Sequence, residues 1–389
     1  MTHFKHPAWM GVLCLFGSIS TFAQTEPINV VTSAVPFLRI SPDARAGGMG
    51  DLGVATSPDV NSQFYNIGKY PFANNRSGLG VTYTPWLKDL GLNDVFLASV
   101  AGYYKIDDEQ ALSASMRYFS LGEIQFTDNF GNDLNRAQPW EMGLDVGYSR
   151  KLSDRLGLGV AMRYIYSNLA SQTVINGVSY KPGSAVAGDI GLYYSNQDAL
   201  GDGLSLGLSL TNLGSKIGYT DDVNARDFIP ANLTLGGVYT RVVNEVNKVS
   251  FGLDIHKLMV PTPPNLSDSA ALASYRSKGV VGSWFSSFGD APGGFSEELR
   301  EFYFSLGAEY TYNDVFAVRA GYFHEDKTKG NRQYFSIGTG IKWSMFTLNF
   351  SYLIPSGSGV NRNPLSNTLR FGLVFDFGQA GAPTMNDFR

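Results

Sequence analysis

Asp254 and His256 are the first residues whose types and spacing could do chemistry. A histidine beside a carboxylate can move protons. Two residues apart on a strand, they share a face. The commoner role of such a pair is a structural hydrogen bond, and the sequence places no nucleophile next to it. Gly203-Leu204-Ser205-Leu206-Gly207 has the G-x-S-x-G spacing, but that serine is reactive only on a sharp strand-to-helix turn. Here it sits inside an alternating strand, as a lumen-facing spacer. Gly48-Met49-Gly50-Asp51-Leu52-Gly53 has the G-x-G-x-x-G spacing, which binds dinucleotides only after a strand in a βαβ unit. Pro42 and a short helix precede it, so the glycines read as close-packed turns. Asp128-Asn129-Phe130-Gly131-Asn132-Asp133 is rich in oxygen, yet lacks the twelve-residue calcium register and reads as a polar loop. His324, beside Glu325-Asp326, reads as solvated. No Cys/His cluster has zinc spacing. The expectation is a non-enzymatic protein with no catalytic residue, no metal and no cofactor.

The elements that carry these residues are strands. Trp140, Met142, Leu144, Val146 and Tyr148 alternate with Glu141, Gly143, Asp145, Gly147 and Ser149. Leu204 to Thr211 and Leu369 to Phe377 repeat the pattern. Successive strand side chains point to opposite faces, so one face is apolar and the other carries charge, serine or glycine. A soluble sandwich turns the apolar face inward, whereas an outer-membrane barrel turns it to lipid.

Composition favours the barrel. Only 16% of the 389 residues are charged, against about 25% in a soluble domain. Aromatic residues reach 13%, and 44 residues are glycine. No run approaches the roughly 20 apolar residues of a spanning helix. The net charge of −4 argues against nucleic acid. Residues 1–23 read as a signal peptide, with Lys5 ahead of an apolar run and Thr21-Phe22-Ala23 at the cleavage position. The single cysteine, Cys14, lies inside it.

Fourteen strands are expected, at 77–85, 93–105, 110–120, 140–151, 155–168, 185–196, 203–213, 230–242, 248–257, 302–312, 314–323, 333–343, 345–354 and 367–377. The connections between them alternate between tight and long. Short periplasmic turns and long outside loops produce this parity; a sandwich has no reason for it. The fold class is thus all-β, a fourteen-stranded antiparallel outer-membrane barrel over 77–377, with a periplasmic tail at 378–389. An even strand number puts both chain ends in the periplasm. Tyr104, Tyr166, Tyr194, Tyr322 and Trp343 near strand ends suit the membrane interface. Arg117, Glu141, Asp145, Arg163, Asp189, Asp254, His256, Glu309, Arg319, Lys342, Arg370 and Asp376 fall on the lumen face. Buried charges persist when paired, so they predict a cross-lumen network. Lipid-facing Leu206→Arg is expected to cost more than lumen-facing Ser205→Arg.

Residues 24–76 lack alternation. Ser41-Pro42-Asp43 and Ser57-Pro58-Asp59 each predict a serine cap with proline at the first helical position. Two short helices would follow, ending near Gly47-Gly48 and Gly68, as a plug inside the lumen.

These residues carry a resemblance. Phe37-Leu38-Arg39-Ile40 leads into Ser41-Pro42-Asp43-Ala44-Arg45-Ala46-Gly47-Gly48-Met49-Gly50, then Val54-Ala55, Asp59 and Phe64-Tyr65-Asn66. The segment resembles the hatch of the FadL-like barrels, and its Ala-Arg-Ala-Gly-Gly-Met-Gly run is similar to the PorV branch, an outer-membrane component of the type IX secretion system. Many relatives continue Asn-Pro-Ala where this chain has Asn66-Ile67-Gly68. The resemblance implies a hatch built on Arg39, Arg45, Gly47, Gly48, Met49, Gly50 and Asn66. It implies a Gram-negative outer membrane and a non-enzymatic role in protein secretion. The implied partners are outer-membrane lipid, the type IX translocon barrel, cargo with a C-terminal sorting domain and a surface attachment complex. The alternative within the same barrels is a passive channel for hydrophobic small molecules.

The long outside loop 258–301 is the candidate partner surface. Pro261, Pro263 and Pro264 stiffen its entry, and Trp284, Phe285, Phe288 and Phe295 supply aromatic anchors. Such clusters mark interaction sites; the plainer reading is packing onto the barrel mouth or the outer leaflet.

Overall fold

The computed structural model describes residues 28–87, 91–127, 131–169, 174–175, 178–222, 225–264, 268–355 and 368–379. The signal segment 1–23, the tail from 380 onward, residues 128–130 of the oxygen-rich loop and most of the connection after Pro355 lie outside the described residues.

All fourteen strands are present, with ends shifted by one or two residues. They are β1 (Asn75–Pro85), β2 (Val95–Lys105), β3 (Gln110–Leu121), β4 (Trp140–Lys151), β5 (Leu156–Asn168), β6 (Gly183–Ser195) and β7 (Gly203–Gly214). Then come β8 (Asn232–Asn244), β9 (Asn247–Leu258), β10 (Phe302–Tyr312), β11 (Phe316–His324), β12 (Gln333–Trp343), β13 (Phe346–Pro355) and β14 (Leu369–Gln379). Each pairs antiparallel with its chain neighbours, and β14 pairs with β1 to close the barrel. Closure leaves no strand edge, which lipid demands. The alternation does what the sequence predicts: Leu206 is 45% exposed on the outer wall, while Ser205 is 1% exposed. Around the outside of β1–β5, Tyr83, Phe96, Tyr118, Trp140 and Tyr166 form a continuous ring ladder with centroid spacings of 5.5, 6.0, 5.7 and 5.1 Å. This is an interfacial girdle.

The tight turns gather at one end. At Asn313 and Asp314 φ is 53° and 52°, so two left-handed residues close the β10–β11 hairpin with the twist of its strands. The long connections gather at the other end. Among the described residues they carry three small hairpins (Ile124–Thr127 with Asp133–Ala137, Val174–Ile175 with Val178–Ser179, Ile217–Gly218 with Arg226–Asp227).

The hatch comprises a 3-10 turn (Pro36–Arg39), helix α1 (Ala44–Gly47), and 3-10 turns Val60–Phe64 and Ile67–Phe72. The expected serine caps are corrected. Asp43 accepts from the amides of Arg45 and Ala46, and Asp59 accepts from that of Asn61. Each proline therefore precedes its cap; a carboxylate satisfies amides at the positive helix end better than a hydroxyl. The second helix stops at Phe64, and Gly68 lies within the next turn.

A second correction concerns the chain ends. β14 ends among the short turns, as expected. The first described residues of the hatch, however, lie at the opposite, long-loop end. The amide of Asn29 donates to Thr328 O (3.1 Å) and that of Ala34 to Phe228 O (2.9 Å), both in long connections. The chain then descends the lumen until Ala73 O accepts from Lys105 beside the first tight turn (3.2 Å). The hatch occupies the lumen over its height.

Candidate functional site

The hatch is seated on glycines. A Cβ built on wall residues Gly78 or Gly80 would lie 2.6 or 2.5 Å from Val60; on Gly147, 2.1 Å from Ile67; on Gly207, 2.4 Å from Val54 O. On Gly307 it would lie 2.6 Å from Met49 O, and on Gly338, 2.9 Å from the Cα of Gly48. Gly50 has φ +68°, and its own added Cβ would meet the Tyr322 backbone at 2.8 Å. Glycine is required there twice over, by conformation and by space. Inward positions of many strands are thus hollowed to admit the hatch backbone. Sequence reasoning treated these glycines as composition, because their alignment into a seat exists only in the closed barrel.

Polar bolts fix the same contact. Asp254 Oδ2 accepts from the backbone N–H groups of Gly53 (2.8 Å) and Val54 (3.0 Å). Gly50 N–H donates to Ser336 Oγ (2.8 Å), and Asn66 Nδ2 to Leu192 O (2.8 Å). Arg45 bridges Asp59 of the hatch (3.0 Å) and Glu309 of the wall (2.8 Å), and Arg319 completes that cluster at 2.6 Å from Glu309. Asp51 accepts from Arg370 and from Tyr334 Oη, each at 2.5 Å. Gly47 lies flat against Arg370, where a Cβ would come within 2.2 Å of its Nη1. Lys69 is buried and donates to Gly53 O (2.8 Å) and Thr56 Oγ1 (3.1 Å). Burial lowers its pKa to about 8. Burial and the nearby Asp59 push the Asp43 carboxyl up to about 6. Asp51, Lys69 and Tyr334 were not singled out from the sequence, and no spacing signal marks them.

The expected cross-lumen network is therefore corrected. The wall charges pair with strand neighbours and with the hatch, because the hatch fills the space between opposite walls. Arg163 is held by Asp145, by Asp189 (2.8 Å) and by Asn212, and Ser115 donates to Asp145 (2.7 Å). Arg117 donates to Leu38 O (3.2 Å) and lies 5.0 Å over the Phe64 ring. Glu141 accepts from Ser167 (2.7 Å). Lys342 and Asp376 are half-buried near the tight turns. Nor do His256 and Asp254 form the anticipated pair. His256 lies between Thr234 Oγ1 (3.1 Å) and Ser305 Oγ (3.3 Å) and stacks on Tyr303 at 4.6 Å, while Asp254 serves the hatch backbone.

Between hatch and wall lies a cavity of about 100 Å³ with a mixed lining: Arg39, Asp51, Arg117, Asp254, His256 and Arg332 face apolar groups such as Leu38, Val54, Phe64 and Phe323. An engineered apolar cavity that holds benzene has about 150 Å³. Every described barrel strand keeps its ladder to both neighbours. At the register shift between Gly188 and Ile190, Asp189 Oδ1 accepts the Asn212 N–H (2.7 Å).

The mouth is roofed by the long loop, whose helices sequence reasoning did not anticipate: it folds into α2 (Ser269–Ser277), α3 (Val280–Ser286) and α4 (Phe295–Arg300). Lys257 of β9 pairs with Glu298 (2.8 Å) and Glu301, and Lys329 pairs with Glu297 (2.6 Å) and Glu301 (2.9 Å). Arg39 and Arg332 share Glu325, at 3.0 and 2.7 Å. Of the four aromatic residues singled out, Phe285 and Phe295 are 76% and 78% exposed, Phe288 is partly exposed, and Trp284 is half-buried.

A closed barrel with a lipid-facing apolar belt, an aromatic girdle and a seated hatch defines an outer-membrane β-barrel of FadL-like fold. The Ralstonia pickettii toluene transporter TbuX superposes with a TM-score of 0.53 at 12% identity, covering 87% of this chain and 98% of that one. The P. putida toluene transporter TodX gives 0.52 at 10% identity (86% and 98%), and the CymD monoaromatic hydrocarbon channel 0.51 at 12% (86% and 97%). At such identities the likeness is one of fold. No curated protein matches the chain by sequence. The profile described as Type IX secretion system protein PorV matches residues 22–265, and the chain belongs to that family. It is an outer-membrane component of type IX secretion.

Proposed function

We propose that this barrel is a non-conducting docking platform. It receives cargo bearing a C-terminal sorting domain at the translocon barrel and passes it to the surface attachment complex. The observation that carries the reading is the pairing of a hatch seated backbone-to-backbone on the wall with an exposed aromatic patch at the mouth. The first leaves no wide path through the lumen; the second offers a surface where a partner gains by burying rings. Phe285, Phe288 and Phe295, with Trp284 beneath them, are the anchors of that surface. Hatch residues Arg39, Arg45, Gly47, Gly48, Met49, Gly50 and Asn66 keep the platform rigid. The passive-channel alternative calls for an apolar pocket and an opening in the wall. The small volume of the cavity, and the pairing of every described strand with both its neighbours, weigh against it.

The test is recovery of partners on tagged barrel from detergent extract. The docking reading expects a very large barrel and sorting-domain cargo, with both lost when Trp284, Phe285 and Phe288 are replaced by serine. Aromatic anchors at interface centres carry about 2–4 kcal/mol each, so loss should be near complete. Unchanged recovery from a folded variant would reduce these residues to packing or lipid contacts. Copurifying lipid alone, with cargo attached normally in a deletion strain, would favour transport.

A further inference from the structure

We infer that the hatch is threaded from outside, so that its amino-terminal end is displayed on the cell surface and residues 28–39 staple three outside loops into one roof. Ile28 is 77% exposed at the long-loop end. The next residues touch three different long connections. Asn29 gives its amide to Thr328 O and its Nδ2 to Glu297 Oε1, at 3.1 Å each. Thr328 lies in the β11–β12 connection, and Glu297 lies on α4 of the β9–β10 connection. Ala34 N–H donates to Phe228 O in the β7–β8 connection. Val31 is buried with Phe228, Leu258, Val260 and Tyr275, the last of these on α2. Arg39 closes the row on Glu325 at 3.0 Å.

The physical argument is one of entropy. Long loops lose much freedom when ordered, and the direct contacts between these loops, Lys329 with Glu297 and Glu301 and Lys216 with the carbonyls of Arg276 and Lys278, join them only in pairs. An apolar strap between them supplies buried area and satisfies their backbone groups together. The consequence is a preassembled platform whose rigidity depends on a segment far away in sequence. It also reverses the usual expectation that the amino-terminal end of a secreted barrel stays in the periplasm. This inference rests on the placement of residues 28–39 and stands whether or not the aromatic patch is a docking surface.

The only cysteine in the sequence is Cys14, inside the expected signal peptide, so introduced thiols report position cleanly. Ile28→Cys should react with a membrane-impermeant maleimide in intact cells, as should Ser286→Cys on α3. Ser153→Cys, on the tight turn after β4, should react only after the outer membrane is permeabilised. Labelling of Ile28→Cys only after permeabilisation, or not at all, while Ser286→Cys reacts in intact cells, overturns the threading. For the staple, Val31→Asp should raise protease cleavage of the outside loops severalfold with the heat-dependent gel shift of the barrel retained. Should that variant fail to form a barrel, Asn29→Ala, which removes one side-chain hydrogen bond, decides the matter. A folded strap variant whose loops are cut at the native rate refutes the staple.

Discussion

Replacing Gly321 by alanine tests whether the hatch is part of the wall. A Cβ on Gly321 would lie 2.1 Å from Gly50 N and Met49 C, and 2.6 Å from Met49 O. Ordinary contact begins near 3.4 Å, so the hatch backbone must withdraw by more than an ångström. No rotamer change relieves the clash, since every one of these atoms is backbone. Withdrawal would break the Gly50 N–H bond to Ser336 Oγ and strain the Asp51–Arg370 contact. Overpacking costs about 1–3 kcal/mol, and a lost buried hydrogen bond adds about 1 kcal/mol. The variant should therefore be destabilised by about 2–4 kcal/mol, read as the midpoint of urea unfolding in lipid. Hydrogen exchange at residues 47–54 should rise while the strand ladder stays protected. Gly188→Ala is the matched control within a strand, because its Cβ would find its nearest neighbour at 3.5 Å. Equal stability and equal hatch exchange in the two variants would refute the seated-hatch account.

Arg370→Leu should cost about 1.5–3 kcal/mol, since it removes a charge-assisted hydrogen bond from the partly exposed Asp51 carboxylate and leaves it Tyr334; pairing it with Asp51→Leu should recover much of that loss in a double-mutant cycle. Lys69 titrates near 8 in the folded hatch against 10.5 unfolded. Between those values the unfolded chain binds more protons, so hatch stability should rise with pH, by at most about 1.4 kcal/mol per unit. Exchange at residues 53–56 measured from pH 8 to 10.5 should show this slope, and Lys69→Met should flatten it. Leu206→Arg on the lipid face should cost about 2–4 kcal/mol. The sequence-level expectation that Ser205→Arg is milder is revised: Ser205 is enclosed and bonded by Tyr193 Oη (3.1 Å), so an arginine there should also impair assembly. A folded Ser205→Arg barrel of native stability would show that the lumen has free space at that level.

The strands, their faces and the direction of the barrel were legible in the residues because each depends on short-range regularities. Period-two alternation reports which side of a strand meets lipid, and loop parity reports which end faces outward. The buried partners of Asp145, Arg163 and Glu309 were foreseeable only as a class, because a charge on an inward position must be compensated wherever it sits. Which groups compensate it is decided by tertiary structure. Asp51 meets Arg370, and Asp254 meets the Gly53 and Val54 amides rather than His256. These contacts join residues hundreds of positions apart, and strand registers multiply around a closed ring before any such pair is fixed. The same holds for the glycine seat. Gly147, Gly207, Gly307 and Gly338 are ordinary small residues on their own strands, and they become one surface only when closure brings their strands around the hatch backbone. The entry of the hatch from the mouth is likewise invisible in the sequence. Strand parity constrains the barrel's own ends, while a segment outside the ladder is free to cross the lumen and goes where its apolar residues find burial.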